Sequence, residues 1–422
     1  MRLLIFTYAP AGLGHLRVTD ALVHTRPEGY NYIVLGSSDK LISIAHRITS
    51  INPLARKIFE ASQYGVFEDV ITLFYVWALR RRSEEIYIKL LETIGKYRDL
   101  ESVTVVATHP SLANQIGEVK EKIRQKTGLM INLVVQVTDD SSQHIWVVKD
   151  ADLTMVPSRL TRDELIKYAA SRKIKFNCEV SPYPVSPILG EELSRKQGSR
   201  QVAFQKGESD AINVLVPISG AAVGLRYLAD LMLQMDRIYS RFHFLVVAKR
   251  SVFTKNFLKE LGQLRQFELF TGRSDKEVVD IYEKVYKDYL IHLEITKPSE
   301  QTFKCLLPPN KVGGAILLLS QPVGRQEFDN IEFLKRHKML LSPDENGELT
   351  VESLKDKSPR AVKLPKDVMS ASKLISSCLN KGIFEEMTKP DFNYQPESYM
   401  TSEIGDNGVW LFWEKLKIAG ML

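Results

Sequence analysis

LLIFTYAPAGLGH, residues 3–15, is the stretch whose reading decides the fold. Leu3 to Tyr8 form an apolar run of strand length. A glycine turn, 9–14, follows, and a helical pattern begins at about residue 16. A short apolar run that empties through glycines into a helix is a buried strand feeding a helix. The motif then repeats. Apolar runs recur at 32–36 (YIVLG), 103–107 (VTVVA), 131–138 (INLVVQVT) and 152–156 (DLTMV), with amphipathic stretches between several of them. Thr161-Arg162-Asp163-Glu164 reads as a capping box that starts another helix. Apolar strands alternating with helices imply a parallel sheet covered on both faces.

The rhythm breaks at 191–210, EELSRKQGSRQVAFQKGESD, a polar and charged segment that reads as a linker. It restarts with apolar runs at 212–218, 242–248, 289–295 and 313–319, and Ser274-x-x-Glu277 caps the helix before the third. The stretch 342–364 is polar and reads as a loop, and 408–422 reads as an amphipathic helix. The expected organisation is an N-terminal Rossmann-like domain at 1–190, a linker at 191–210 and a second Rossmann-like domain at 211–400. The segment 401–422 is expected to be a C-terminal helix packing back on the first domain.

Composition agrees with two domains. A chain of 422 residues exceeds one ordinary core. With 44% hydrophobic and 26% charged residues it reads as globular and soluble. A formal charge of +6 without a basic, aromatic-studded patch gives no reason to expect nucleic acid. The three cysteines, Cys178, Cys305 and Cys378, are far apart and form no CxxC pair. A disulfide framework and a structural zinc site are therefore not expected, and a reducing, cytoplasmic setting is. The N-terminus does not read as a signal peptide. No run of eighteen apolar residues predicts a membrane span.

In open parallel sheets ligands sit outside the carboxyl ends of the strands, so the loops there carry the candidate chemistry. The first loop, 9–15, has Gly12 and Gly14 for a tight turn, a helix N-terminus that favours negative charge, and His15 at its mouth. An imidazole titrates near neutral pH and can take a proton from a hydroxyl nucleophile. The plain alternative is a βα turn whose histidine caps the helix. The second loop, Gln136 to Asp140 with His144 and Trp146, offers groups that orient a polar acceptor, or a helix cap and packing. The third, 219–224, follows the first strand of the second domain. Its small residues Gly220 and Gly224 allow close approach of a phosphate, although it lacks Walker spacing. The fourth, 296–302, offers Lys297 to a phosphate and places Thr302 in the next helix. The fifth, 322–330, gathers Gln326, Glu327 and Asn330, amide and carboxylate groups suited to sugar hydroxyls. For the last three, an ordinary polar turn is the competing reading.

GLGH (12–15), THP (108–110), TDDSSQHIW (138–146) with Asp152 beyond, YPVSP (183–187), TKPSEQT (296–302) and GRQEFDN (324–330) occur in a shared order. In this the chain resembles the two-domain glycosyltransferases that include the monogalactosyldiacylglycerol synthases and the N-acetylglucosaminyltransferase of the lipid-linked peptidoglycan precursor. The resemblance implies a GT-B architecture, with two Rossmann-like domains facing across a cleft. It further implies a metal-independent, inverting hexosyl transfer without cofactor, from a nucleotide sugar, most simply UDP-linked, to a hydroxyl acceptor such as a lipid. By the same resemblance His15 is the general base, and Gly12, Gly14, Asp139, His144 and Trp146 are acceptor-side residues. Gly220, Gly224, Lys297, Glu300, Thr302, Gly324, Gln326, Glu327 and Asn330 are the donor-side residues.

Three positions depart from the pattern. Pro298 stands where the family usually has glycine. Cys305 stands where it has a ribose-holding glutamate, leaving Glu300 as the carboxylate of that turn. Arg325 is an extra residue. These departures motivate the alternatives: a non-catalytic nucleotide-sugar sensor or scaffold, or a hydrolysing nucleotide-sugar epimerase. Finally, the apolar stretch 66–79 runs into Arg80-Arg81-Arg82. It reads either as a helix at an anionic membrane surface, through 66–82, or as a buried helix with a solvated end.

Overall fold

The structure is a computed structural model. It describes residues 1–9, 13–36, 63–194, 198–205, 210–220, 222–344, 348–355, 357–389 and 402–422, apart from the side chain of Val66. Gly12 lies outside the described residues. The chain forms two compact units, Met1–Ser186 with Tyr399–Leu422, and Pro187–Ser398.

The first unit runs β1 (Arg2–Tyr8), α1 (Gly14–His24), β2 (Asn31–Gly36), α2 (Gly65–Arg81), α3 (Glu84–Ile94), β3 (Ser102–Ala107), α4 (Pro110–Thr127), β4 (Met130–Gln136), β5 (Leu153–Val156), α5 (Arg159–Ser171) and β6 (Cys178–Val180). Its parallel sheet has the order β2-β1-β3-β4-β5-β6. β1, β3 and β4 are buried along almost their whole length, which is why their sequences are continuous apolar runs and not alternations. The helix α12 (Gly408–Ile418) belongs to this unit. Phe412, Trp413 and Leu416 are buried, and the Trp413 indole N–H donates to Thr25 Oγ1 at 3.1 Å. Gly408 permits the approach: a Cβ there would stand 2.4 Å from the carbonyl oxygens of Pro182 and Tyr183.

The second unit runs β7 (Ile212–Pro217), α6 (Leu225–Ile238), β8 (Phe242–Lys249), α7 (Lys255–Leu261), β9 (Phe267–Gly272), α8 (Asp275–Asp288), β10 (Leu293–Thr296), β11 (Ile316–Leu319), α9 (Arg325–Arg336), β12 (Leu340–Leu341), β13 (Ala361–Lys363), α10 (Val368–Asn380) and α11 (Ile383–Met387). Its parallel sheet has the order β12-β13-β11-β10-β7-β8-β9. Two parallel-sheet α/β units in series is the expected fold class.

Local expectations fared unevenly. Ser274 does cap α8, its hydroxyl accepting the Glu277 N–H at 3.2 Å. The Thr161–Glu164 box does not start a helix. Ser158 is the cap of α5, accepting the Thr161 N–H at 3.2 Å, and the supposed box lies inside the helix. The stretch 342–364 is not simply a loop, because β13 is inserted between β12 and β11. Three residues suffice for a strand when neighbours on both sides supply its ladder, and polar surroundings hide it from a search for apolar runs. β6 and β9, also unmarked by the sequence reading, are edge strands, where a continuous apolar run is not required. The segment read as a linker packs within the second unit where it is described. Leu193 N donates to Asn310 O at 2.8 Å, Arg200 is 1% exposed, and Ala203 and Phe204 join the core.

Candidate functional site

Three sequence motifs of the first unit come together at one imidazole. β1 ends at Tyr8 and α1 begins at Gly14, which places His15 in the first turn of α1, half-buried. That helix start has no side-chain cap and no acidic residue in its first turn, so the positive end of its dipole is uncompensated from within. His15 Nδ1 lies 2.6 Å from the Thr108 carbonyl oxygen and 3.1 Å from Thr138 Oγ1. Thr19 Oγ1 and Thr108 Oγ1 both donate to the His15 carbonyl, at 2.8 and 3.1 Å. His109 packs its ring edge-on to that of His15, with centroids 4.7 Å apart. It also caps α4, its Nδ1 accepting the Ser111 N–H at 3.3 Å. Buried Tyr183 donates its hydroxyl to the Thr138 carbonyl at 3.1 Å. Thr108 and His109 of THP and Thr138 of TDD thus meet at His15, and Tyr183 of YPVSP holds Thr138.

The rest of the 138–146 motif divides by burial. Asp139 is half-buried beside Thr138. Asp140 is buried and holds the start of α5, accepting from the hydroxyls of Ser158 and, at 2.8 Å, Thr161. His144 stacks on Tyr168 with centroids 3.7 Å apart, and its Nδ1 stands 2.7 Å from Asp69. Its backbone N–H donates to buried Glu68 of α2 at 2.9 Å. Trp146 is 0% exposed and part of the core. Trp146, expected on the acceptor side, fills the core, whereas His144, expected there too, is half-buried against α2. Fully buried, the Trp146 indole presents nothing to a ligand.

In the second unit, exposed Gly220 lies in the turn after β7, and Gly224 starts α6 in the left-handed region at φ +79°. Open space lies where its Cβ would be, so glycine answers to backbone conformation there and not to packing. Gly324 starts α9 at φ +81° and ψ 164°, a conformation glycine alone enters readily. The fourth and fifth loops are tied together. Lys297 Nζ lies 2.6 Å from Glu327 Oε1, and Glu327 Oε2 accepts the Val323 N–H at 2.6 Å. Asn330 donates to the Pro298 carbonyl at 3.1 Å. Thr302 and Asn330 are 0% exposed, and both oxygens of Glu327 have internal partners. Glu327 and Asn330 thus join the two loops. Lys297, Glu300, Gly324 and Gln326 remain partly open. Cys305 is buried, and burial pushes its thiol up to about 12 against the opposing pull of Arg360 and Lys304. It is a packing residue, not a substitute for a ribose-binding carboxylate.

The sequence reading missed what lies under these loops. Glu294 of β10 and Lys304 form a buried ion pair. Tyr282 and Tyr286 of α8 donate to Glu294 Oε2 at 3.0 and 2.6 Å, and Tyr282 reaches Gln301 Oε1 at 2.9 Å. The signal was present: a glutamate inside the apolar run YLIHLEI needs a buried cation.

α2 exposes much of its apolar surface. Phe67 and Phe74 are 72% and 69% exposed, with Val70, Ile71 and Trp77 exposed on the same side, whereas Glu68 is 5% exposed. Arg81 lies over Trp77 at 4.3 Å. A hollow of about 500 Å³ beside the helix end is lined by Leu73, Trp77, Arg80, Arg81, Glu118 and Lys122, among others. Among the described residues no helix is long and apolar enough to cross a membrane.

No protein-family model and no curated protein sequence matches the chain. Solved structures do. The Staphylococcus aureus MnaA–UDP co-structure matches with a TM-score of 0.54 at 10% identity, over 100% of this chain and 98% of that one. Arabidopsis thaliana UGT89C1 complexed with UDP-L-rhamnose matches with a TM-score of 0.51 at 12% identity, over 100% and 98%. A UDP-GlcNAc 2-epimerase from Neisseria meningitidis bound to UDP-GlcNAc matches with a TM-score of 0.44 at 12% identity, over 99% and 100%. At these identities the first two likenesses speak to the fold, which is that of the GT-B glycosyltransferases, and the third adds nothing to it. The likeness shows the fold alone.

Proposed function

We propose that this chain is an inverting glycosyltransferase that moves a sugar from a nucleotide diphosphate donor to a hydroxyl acceptor. The observation that carries the reading is His15 in the first turn of α1, its Nδ1 held on the Thr108 carbonyl at 2.6 Å. With Nδ1–H donated to a carbonyl, Nε2 carries the lone pair that a general base needs. In the step, the acceptor O–H proton passes to Nε2 and the acceptor oxygen bonds to the anomeric carbon. The bond from that carbon to the diphosphate oxygen breaks, and its electron pair leaves with the nucleoside diphosphate. One displacement inverts the anomeric centre. The donor falls to the second unit, whose α6 starts at Gly224 with neither a side-chain cap nor an acid in its first turn. Lys297 and that helix end are the groups proposed to support the leaving diphosphate, with no metal or cofactor, and partly open Gln326 and Glu300 to meet the sugar and ribose.

Isothermal titration with a panel of nucleotide sugars tests the reading, and UDP-linked donors are expected to bind. Binding by none of them would overturn it. Transfer to a hydroxyl acceptor should be lost in His15→Ala with donor binding retained. Donor binding without transfer points to a sensor or scaffold, and a rearranged or hydrolysed donor without acceptor points to an epimerase.

For the acceptor we propose a lipid. The exposed face of α2, ending in Arg80, Arg81 and Arg82, supports it: apolar side chains suit the acyl boundary, and arginines suit anionic headgroups.

A further inference from the structure

We infer that Thr138 and the Thr108 carbonyl fix the tautomer of His15, and that Thr138 is the positioning residue that aims its Nε2 at the acceptor hydroxyl. The chemistry rests on the transferase reading; the tautomer rests on geometry alone.

A backbone carbonyl oxygen only accepts. At 2.6 Å from it, His15 Nδ1 must carry a proton, because a bare Nδ1 would set two lone pairs against each other. Thr138 Oγ1, at 3.1 Å from the same nitrogen, is then a second acceptor for that N–H. Two oxygens on one N–H stop rotation of the ring about its Cβ–Cγ bond, since a flip would remove Nδ1–H from both.

Each oxygen is itself held from another element. Thr108 N donates to Thr7 O at 3.1 Å, and Thr108 Oγ1 donates to His15 O at 3.1 Å, tying the end of β3 to β1 and α1. Val137 N donates to Met155 O at 3.0 Å, and Tyr183 holds the Thr138 carbonyl, so β5 and the 183–187 segment pin the end of β4. Thr138 is 1% exposed, so water does not compete for its hydroxyl. Both partners of Nδ1–H are neutral oxygens. They favour the imidazolium that forms when Nε2 takes a proton, without placing a formal charge beside it.

The test is nitrogen NMR of histidine-labelled full-length protein, with His15→Gln assigning the resonances. A pyrrole-like Nδ1 and a pyridine-like Nε2 are expected for neutral His15; the opposite tautomer would overturn the inference. Thr138→Val should leave Nδ1 protonated on the Thr108 carbonyl but loosen the ring and lower kcat about fivefold with the donor KM unchanged, the size of one lost hydrogen bond. Thr138→Ser should restore kcat. An unchanged kcat in a folded Thr138→Val would reduce Thr138 to packing. If that variant does not fold, the wild-type and Thr138→Ser spectra decide. The expected spectra without transfer from any nucleotide sugar would uphold the tautomer and sink the transferase reading.

Discussion

Arg200 and His292 show what single residues contribute. The Arg200 guanidinium is buried and donates to the carbonyls of Ile291 at 2.6 Å, Lys311 at 2.7 Å and Val312 at 2.5 Å. Burial pulls its pKa down to about 10, yet it stays charged at neutral pH. Arg200→Met would leave these carbonyls without their donor. A loss of at least about 3 kcal/mol, read by denaturant unfolding, is expected. His292 is driven down to about 3 by burial, with Arg200 and Arg241 adding to the effect. Unfolding returns it toward about 6.5, so the unfolded chain binds the extra proton between those values. Stability of the second unit should therefore be full above about pH 6.5. It should fall toward pH 3 with a limiting slope of about 1.4 kcal/mol per pH unit. His292→Asn should flatten that slope; an equally steep loss in the variant would assign it elsewhere. Cys305, with its thiol raised to about 12, should resist alkylation at pH 8 until the protein unfolds, which mass spectrometry reads directly.

At the scale of elements, α2 departs most from the ordinary rule of burial. Glu68 faces in, while Phe67, Phe74 and Trp77 face out. Phe74→Asp should therefore leave the circular dichroism spectrum unchanged and abolish sedimentation with anionic vesicles, while zwitterionic vesicles bind neither form. Retained binding by the variant would remove the lipid contact from this helix. The helix starts are more ordinary. Ser274→Ala should cost about 1 kcal/mol, because the Glu277 N–H loses its acceptor.

In the whole molecule the chain divides between two cores, and its last helix belongs to the first. Phe412, Trp413 and Leu416 are buried, Trp413 meets Phe6 edge-on at 6.0 Å, and Lys415 lies 2.6 Å from Glu179. Deleting 402–422 should remove roughly 5–9 kcal/mol of apolar burial from the first unit. Limited proteolysis should then cut that unit and spare the second, and equal protection of both would contradict the division. The sequence by itself determined the succession of buried strands and helices, the two sets of them, and the interest of His15, because apolar periodicity and glycine turns are local properties. Only the tertiary structure decided which motif residues meet. Thr108 and Thr138 reach His15 across 93 and 123 residues. Burial turned Trp146, Thr302, Asn330 and Cys305 inward, and pairing engaged Glu327 with Lys297. Those outcomes depend on what packs over each side chain, and no spacing along the chain encodes that.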